Sequence, residues 1–325
     1  MSGLFFGHAE ITIIPIILAY ILDRILGDPR WLPHPVVGMG KLIYLGDRLL
    51  NRGRYRMAQG VLMVLLLLTI VGGLVIVLVR VAYGFHPYLG YFLEGVLIWS
   101  TIAVKGLGDA ARLVAKPLQQ KDFTSARQAL GQIVGRDTAN LGESEIVRGT
   151  VETVAENTCD AVIAPLFYAF FGGGLGAILY RAVNTCDAMV GYRNERYLAF
   201  GWGSARLDDL LNWLPSRLTA LLMLSVNRPA VGISWRQAWR VMCRDARKHP
   251  SPNSGFGEAT TAAILGVQLG GRNYYQGIPE DRPRMGDPLY PLATKQIEGA
   301  IQIMERTTLA MLLLIGLGGV FNVLP

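Results

Sequence analysis

Nineteen consecutive residues, Val61 to Val79, carry no charge, and a second charge-free run of the same length extends from Thr307 to Pro325. A helix of that length is about 28 Å long, close to the thickness of a bilayer's hydrocarbon core. Two fully buried helices of a soluble protein would be the alternative, but the composition opposes it. Hydrophobic residues make up 51% of the chain, only 17% are charged, and mean hydropathy is +0.34; soluble domains carry about a quarter charged residues. The chain therefore reads as an all-α, polytopic integral membrane protein, a single membrane-embedded domain over residues 1–325. Spans are expected near 11–26, 61–79, 88–104 and 307–325. The first is a retained helix rather than a signal peptide, because no Lys or Arg precedes Ile11 to Leu22 and no small-residue cleavage site follows.

The polar segments 27–60, 105–160, 184–217 and 228–306 are expected on the cytoplasmic side. Between Lys41 and Gly60 five basic residues face Asp47 alone, and Lys105 to Asp160 holds seven Lys or Arg, the bias of cytoplasmic loops. Glu94 lies inside an expected span, where a carboxylate must face protein or water. The net charge of +7 suits anionic lipid and anionic substrates. Nucleic acid is not expected as a partner, since no zinc-finger spacing or RNA-binding aromatic motif is present. Three cysteines without a CxxC argue against a disulfide framework. In Gly232 to Lys248, Trp235, Trp239 and Met242 share one helical face, with Arg236, Arg240, Arg244 and Arg247 largely away from it. This suits either a helix lying on an anionic membrane surface or an amphipathic helix packed on protein.

The word N-T-C-D-A occurs twice, at Asn157–Ala161 and Asn184–Ala188. Between the copies, Ala161 to Tyr180 is uncharged for 20 residues. As one straight helix it would reach ~30 Å and place the two words on opposite sides of a membrane. Gly172, Gly173, Gly174 and Gly176 interrupt it, however, and glycine permits a sharp turn. Basic residues are frequent in the loops on both sides, five Arg lying between Arg181 and Arg217. A re-entrant Gly-rich hairpin over 161–183 keeps both loops on the cytoplasmic side. Irregular backbone at that depth requires surrounding protein or a water-filled cavity. A Gly-rich membrane helix packed closely on a neighbour is the competing reading.

Arg148, Glu152, Glu156 and Asp160 are spaced four apart and follow one helix face. A solvated salt-bridge ladder explains the first pair. Three acids ending where the chain turns apolar, joined by Asp187 from the second word, suggest a carboxylate cluster. Glu156, Asp160 and Asp187 are the candidate ligands for Mg²⁺ carrying phosphates. Arg136, Arg181, Arg193 and Arg196 are candidate phosphate partners, since arginine forks match phosphate geometry. "HPSPNSGFGEATTAAILG" sets Asn253 and Ser254 before an apolar helix, which reads equally as an anion site or as a capped helix start. No Walker A, GxGxxG or HExxH sequence is present.

In order and spacing, "LDRILGDPRWLPHPVVGMGKLI", "IVGRDTANL", "VETVAENTCDAVIAPLFYAFFGG", "YRAVNTCDAMVGYRNERY", "SARLDDLLNWLPSRLTALL" and "HPSPNSGFGEATTAAILGVQLGG" resemble the adenosylcobinamide-phosphate synthase family of cobalamin biosynthesis over nearly the whole chain. "SGFGEA" departs slightly from that family's pattern, so no role is carried to Gly257. The resemblance implies a ligase in the prokaryotic inner membrane, its active-site loops facing the cytoplasm. With ATP and Mg²⁺, it would join a carboxylate of adenosylcobyric acid, a cobalt corrinoid, to aminopropanol or its phosphate. Other late cobalamin-assembly enzymes are implied partners. Within the matching motifs, Asp137, Glu152, Glu156, Asp160 and Asp187 are the catalytic candidates. Asp28, His34, Arg136, Asn157, Arg181, Asn184, Arg193, Arg196, Asp208, Asn253 and Ser254 are the substrate or phosphate candidates. A membrane transporter with a polar re-entrant site, or a non-catalytic scaffold, are the rival readings.

Overall fold

The computed structural model describes residues 9–29, 34–192 and 194–323. In chain order the elements are α1 (Ala9–Leu26), α2 (Pro35–Leu50), α3 (Arg56–Phe85), α4 (Pro87–Trp99), α5 (Val104–Gln119), α6 (Phe123–Gly131) and α7 (Glu143–Thr158). A π-helical turn, Cys159–Ile163, leads into α8 (Ala164–Val190), followed by α9 (Trp202–Leu211), α10 (Trp213–Val226), α11 (Trp235–Asp245) and α12 (Ser254–Leu265). Two strands, β1 (Leu269–Tyr275) and β2 (Ile278–Met285), precede the last helix, α13 (Lys295–Val323). Four helical stretches among the described residues are long and apolar enough to cross a membrane: Arg56–Phe85, Pro87–Gln119, Glu143–Val190 and Lys295–Gly319. The all-α expectation is corrected by β1 and β2, an antiparallel pair. Their two-residue turn, Gln276 and Gly277, has φ of 52° and 78°. Such left-handed turns match the twist of paired strands.

The chain forms two compact units, one of residues 1–103, 164–212 and 312–325, the other of 104–163 and 213–311. In the first, α3 is apolar almost all round. Leu65, Ile70, Leu74 and Val77 are exposed, while Met63, Val64, Leu67, Val71 and Val75 pack inward with Ile178, Ala182 and Cys186 of α8. Outward leucines and isoleucines on a 30-residue helix are what lipid, not water, tolerates. Histidine–proline pairs start two helices of this unit in the same way. Nδ1 of His34 accepts from Val36 N–H and that of His86 from Tyr88 N–H, each at 3.3 Å, with Pro35 and Pro87 at the first helical position.

Helix α8 is not straight. Gly173 has φ 57° and ψ −149°, a conformation essentially confined to glycine. Tyr168 and Tyr180 stack with ring centroids 5.1 Å apart, although a straight helix would separate them by about 18 Å. A Cβ on Gly176 would lie 2.4 Å from the Tyr168 carbonyl oxygen. The chain therefore doubles back at Gly173. The break frees the N–H of Gly174, which donates to Glu94 Oε2 at 2.9 Å, while Tyr83 donates its hydroxyl to Glu94 Oε1 at 3.1 Å. The acid expected to face protein thus caps the second arm, where a helix N-terminus favours a carboxylate.

In the second unit, α10, α11, α12 and α13 share a core of Met223, Ala238, Val241, Met242, Ala263, Ile264 and Ile303. Met242 is buried here, whereas Trp235 and Trp239 remain exposed. Segment 235–245 is thus an amphipathic helix packed on protein that leaves its two tryptophans outside. Arg244 is held by Asp245 at 2.8 and 2.7 Å and reaches Asp287 at 2.8 Å.

Replacing Gly173 with alanine is expected to lower stability by about 1–3 kcal/mol, and Glu94→Leu to act in the same direction by leaving Gly174 N–H without its acceptor. Glu94→Gln keeps an acceptor and should retain most of the stability. Thermal unfolding of the three variants in detergent, each compared with wild type, checks the order.

Candidate functional site

The polar residues of the first unit gather on the returning arm of α8. Arg181 Nη1 donates to Asn184 Oδ1 at 3.3 Å, and Asn184 Nδ2 to Asp208 Oδ1 at 3.4 Å. Asn212 Nδ2 donates to Asp208 Oδ2 at 3.0 Å, and Asn212 Oδ1 accepts from the Tyr180 hydroxyl at 2.9 Å. The spacing of Arg181, Asn184 and Asp187 at three-residue steps keeps them on neighbouring parts of one helix surface. Arg181 Nε is buried and, among the described residues, has no hydrogen-bond partner. His34 Nε2 stands 3.9 Å from Asp28 Oδ1; with Nδ1 used as acceptor at the helix start, Nε2 carries the proton of the neutral ring. Burial pushes Asp28 up, against the pull of His34 and Arg181. Burial likewise pushes His34 down, with Asp28 opposing and Arg181 assisting. This unit thus brings together five of the sequence candidates, Asp28, His34, Arg181, Asn184 and Asp208. Arg196 lies elsewhere in it, held by Asp47 at 2.5 Å. Arg193 lies outside the described residues.

The second unit separates the helical ladder into different tasks. Arg136, Arg148 and Glu152 are buried. Glu152 accepts from Arg136 and, at 2.8 Å, from Gly270 N–H. Arg136 also donates to Asn273 Oδ1 at 2.7 Å. Arg148 donates to the carbonyls of Gly270 and Arg272, the latter at 3.0 Å, and to Asn273 Oδ1 at 3.0 Å. This network docks β1 on α7. Asp137 accepts from the N–H groups of Gln276 and Gly277 at 3.2 and 2.8 Å, fixing the strand turn.

One turn further along α7, Glu156 Oε1 accepts from the Ser254 hydroxyl at 2.9 Å. Asn253 Oδ1 accepts from Ser216 and Arg217, each at 3.3 Å, and Asn157 donates back to the Thr153 carbonyl at 2.9 Å. Asp160 is half-buried in the π-helical turn, a form common where helices carry function. Beside this group lie two residues that had not been singled out. His249 Nε2 is 3.5 Å from Glu258 Oε1, both side chains being almost fully buried. Burial pushes Glu258 well above the carboxylate range, and the charges of Glu152 and Glu156 push it further. Burial lowers His249. Both residues sit inside "HPSPNSGFGEA"; a pair nine residues apart, spanning a loop, has no periodicity that marks it.

Glu156 and Asp160 belong to the second unit and Asp187 to the first. Among the described residues no group of three or more His, Cys, Asp or Glu is placed to hold a metal ion. The donor set is therefore not a dedicated metal cage. Mg²⁺ carried on phosphates needs only one or two protein carboxylates.

The CobD/Cbib protein family profile matches residues 16–304. The chain belongs to the CobD/CbiB family. It is 53% identical over 309 residues to the "Cobalamin biosynthesis protein CobD" of Halalkalibacterium halodurans, covering 95% of this chain and 97% of that protein. The "Cobalamin biosynthesis protein CbiB" of Salmonella typhimurium is 42% identical, with 95% and 99% covered. The CobD of Klebsiella pneumoniae is 41% identical, with 94% and 97% covered. No solved structure matches. Membership in the CobD/CbiB family supports a role in cobalamin biosynthesis.

Two outcomes test the site's energetics. Glu152→Gln removes the carboxylate between two buried guanidiniums and should destabilise by about 3–5 kcal/mol, seen as a lowered melting temperature. Glu258 has its folded pKa above its unfolded value, so the folded state binds the extra proton. Stability is fully present below the unfolded pKa and falls as pH rises toward the folded one. Glu258→Gln should flatten that decline in a melting-temperature series across pH.

Proposed function

We propose that this CobD/CbiB chain is an ATP-dependent acid–amine ligase that joins adenosylcobyric acid to (R)-1-aminopropan-2-ol or its O-phosphate. The observation that carries the reading is the Arg181 cluster. A guanidinium with a buried, unmatched N–H stands among Asp28, His34, Asn184 and Asp208, in a family named for cobalamin biosynthesis. Such a cluster suits a substrate with phosphate or carboxylate groups at one end and amide or hydroxyl groups at the other.

The chemistry follows from the poor electrophilicity of a carboxylate. The corrinoid carboxylate oxygen attacks the γ-phosphorus of ATP, the bond to the β–γ bridging oxygen breaks, and ADP leaves. The amine, having lost its proton to a base, then attacks the acyl carbon. The C–N bond forms, the C–O bond breaks, and phosphate departs with the electron pair. When bound, Mg²⁺ would neutralise phosphate charge, with Glu156 and Asp160 of the second unit as its candidate ligands. Ser254 orients Glu156. Arg136, Glu152 and Asp137 keep the frame through their occupied hydrogen bonds, and Arg196 secures α2 through Asp47.

The reversal at Gly173 is read as a re-entrant hairpin opening to the cytoplasm. Supporting this, Gly72, at the middle of α3, lies against Leu175 and Leu179 just past the reversal. The remaining 13 residues of α3, Gly73–Phe85, extend about 20 Å, room for the bilayer beyond the tip. The basic loops on either side of the hairpin then share the cytoplasmic face of the inner membrane.

Purified protein given adenosylcobyric acid, ATP, Mg²⁺ and aminopropanol phosphate should yield the amide by mass spectrometry, with one ADP per product. Uptake of corrinoid into sealed vesicles without a new amide would instead establish the transporter. Arg181→Lys retains charge but loses the planar fork, and should lower kcat/KM by about tenfold or more with unchanged membrane insertion. For topology, Lys121→Cys and Leu198→Cys, both highly exposed positions, are placed in a Cys243→Ser background. A membrane-impermeant maleimide should label both from the same side; opposite-side labelling would exclude the re-entrant hairpin.

A further inference from the structure

The second unit contains an open cleft of about 480 Å³ whose lining includes Arg148, Gly271, Arg272, Arg284 and Tyr290. Its volume is that of a small-molecule site rather than of a lone anion. The charge beneath it is unbalanced. Arg136 and Arg148, only 9% and 6% exposed, share the single carboxylate of Glu152, and their other acceptors are the neutral Asn273 side chain and backbone carbonyls. Two buried cations on one buried anion leave a positive charge that favours an incoming anion.

Geometry opens that charge to the cleft. Gly270 and Gly271 have φ of 80° and 100°. A Cβ at Gly271 would lie 3.3 Å from Arg148 Nη1, so the glycine leaves the guanidinium uncovered. Exposed Arg284 adds a further cation to the lining, and Arg272 adds one partly engaged by exposed Asp281 at 2.9 and 3.1 Å. Glu145, also in the lining, accepts from the Gly142 N–H at 2.9 Å at the start of α7 and attracts Arg148, offsetting part of this charge; the lining still sets three guanidiniums, Arg148, Arg272 and Arg284, against that one carboxylate. Tyr290, Pro288 and Pro291 supply a flat, largely apolar wall. The Tyr290 ring is held by its hydroxyl, which donates to the Val231 carbonyl at 2.5 Å.

We propose that this cleft binds a nucleoside polyphosphate, its phosphates over Gly271 and between Arg272 and Arg284, its base against Tyr290. Arginine forks match phosphate oxygens, and an aromatic face accepts a base. The choice of ATP as that nucleotide rests on the ligase reading; the preference for a base-bearing polyphosphate rests on the cleft.

Full-length protein in nanodiscs is titrated with ATP alone, without corrinoid or amine, and separately with inorganic phosphate. Arg284→Glu and the double variant Arg272→Ala/Arg284→Ala change exposed side chains. Arg236→Glu, on the exposed side of α11, controls for net charge. ATP is expected to bind wild type and Arg236→Glu alike. The Kd should rise about tenfold in Arg284→Glu and further in the double variant, at unchanged melting temperature, with phosphate much weaker than ATP. No ATP binding by wild type, wild-type affinity in both cleft variants, or phosphate binding as tightly as ATP would each overturn the proposal. If ATP affinity depends on the cleft but no amide forms, the ligase reading fails and the cleft stands. If amide forms while the variants keep wild-type ATP affinity, the cleft fails and the ligase reading stands.

Discussion

The hydrogen bond from Gly174 N–H to Glu94 is the contact on which the first unit turns. An apolar segment that reverses direction exposes backbone groups at the reversal, and in hydrocarbon such groups find no water. Glu94 supplies the acceptor from α4, and Tyr83 holds the other carboxylate oxygen. An acid in a span is costly by itself, and so is a broken helix. Together each satisfies the other. The reversal in turn brings Tyr180 back onto Tyr168 and sets Arg181 and Asn184 on the returning arm beside Asp208.

Much of this was legible in the residues. Charge-free length located α3 and α13, the glycine run located the break, and an acid within an apolar stretch announced a partner without naming it. The strand pair was not legible. "LGGRNYYQGIPEDRPRM" has little alternation of apolar and polar residues. β2 is largely exposed, so no buried face imposed the period of two by which a strand is read. What holds the pair is tertiary: Glu152, Arg148 and Arg136 receive β1 through polar groups. Four-residue spacing correctly put Arg148 and Glu152 on one helix face but could not show that a strand would arrive there and claim both.

The same limit applies to the candidate site. Residue type and motif pointed to Asp28, His34, Arg181, Asn184 and Asp208, and they do meet. Asp137, Arg136 and Glu152 looked equivalent in kind, yet each also makes hydrogen bonds that hold the strand pair in place. Spacing cannot show which carboxylates a strand will engage, because the strand groups that bind Glu152 and Asp137 lie more than a hundred positions away. His249 and Glu258 went unremarked for the converse reason: their pairing arises from a turn, and turns leave no periodic trace.

The doubled N-T-C-D-A word shows how far identical sequence can diverge. In the first copy, Asn157 bonds back to its own helix, and the backbone then widens into a π-helical turn at Cys159–Ile163. Pro165 follows and has no N–H to offer the Ala161 carbonyl, so regular winding cannot continue through that point unaltered. In the second copy no proline follows, α8 continues to Val190, and Asn184 reaches across to Asp208. Local neighbours, not the word itself, decide that one asparagine serves its own backbone and the other a side-chain network. The pair is therefore better understood as two polar termini of one folded-back apolar segment than as two halves of a symmetric site.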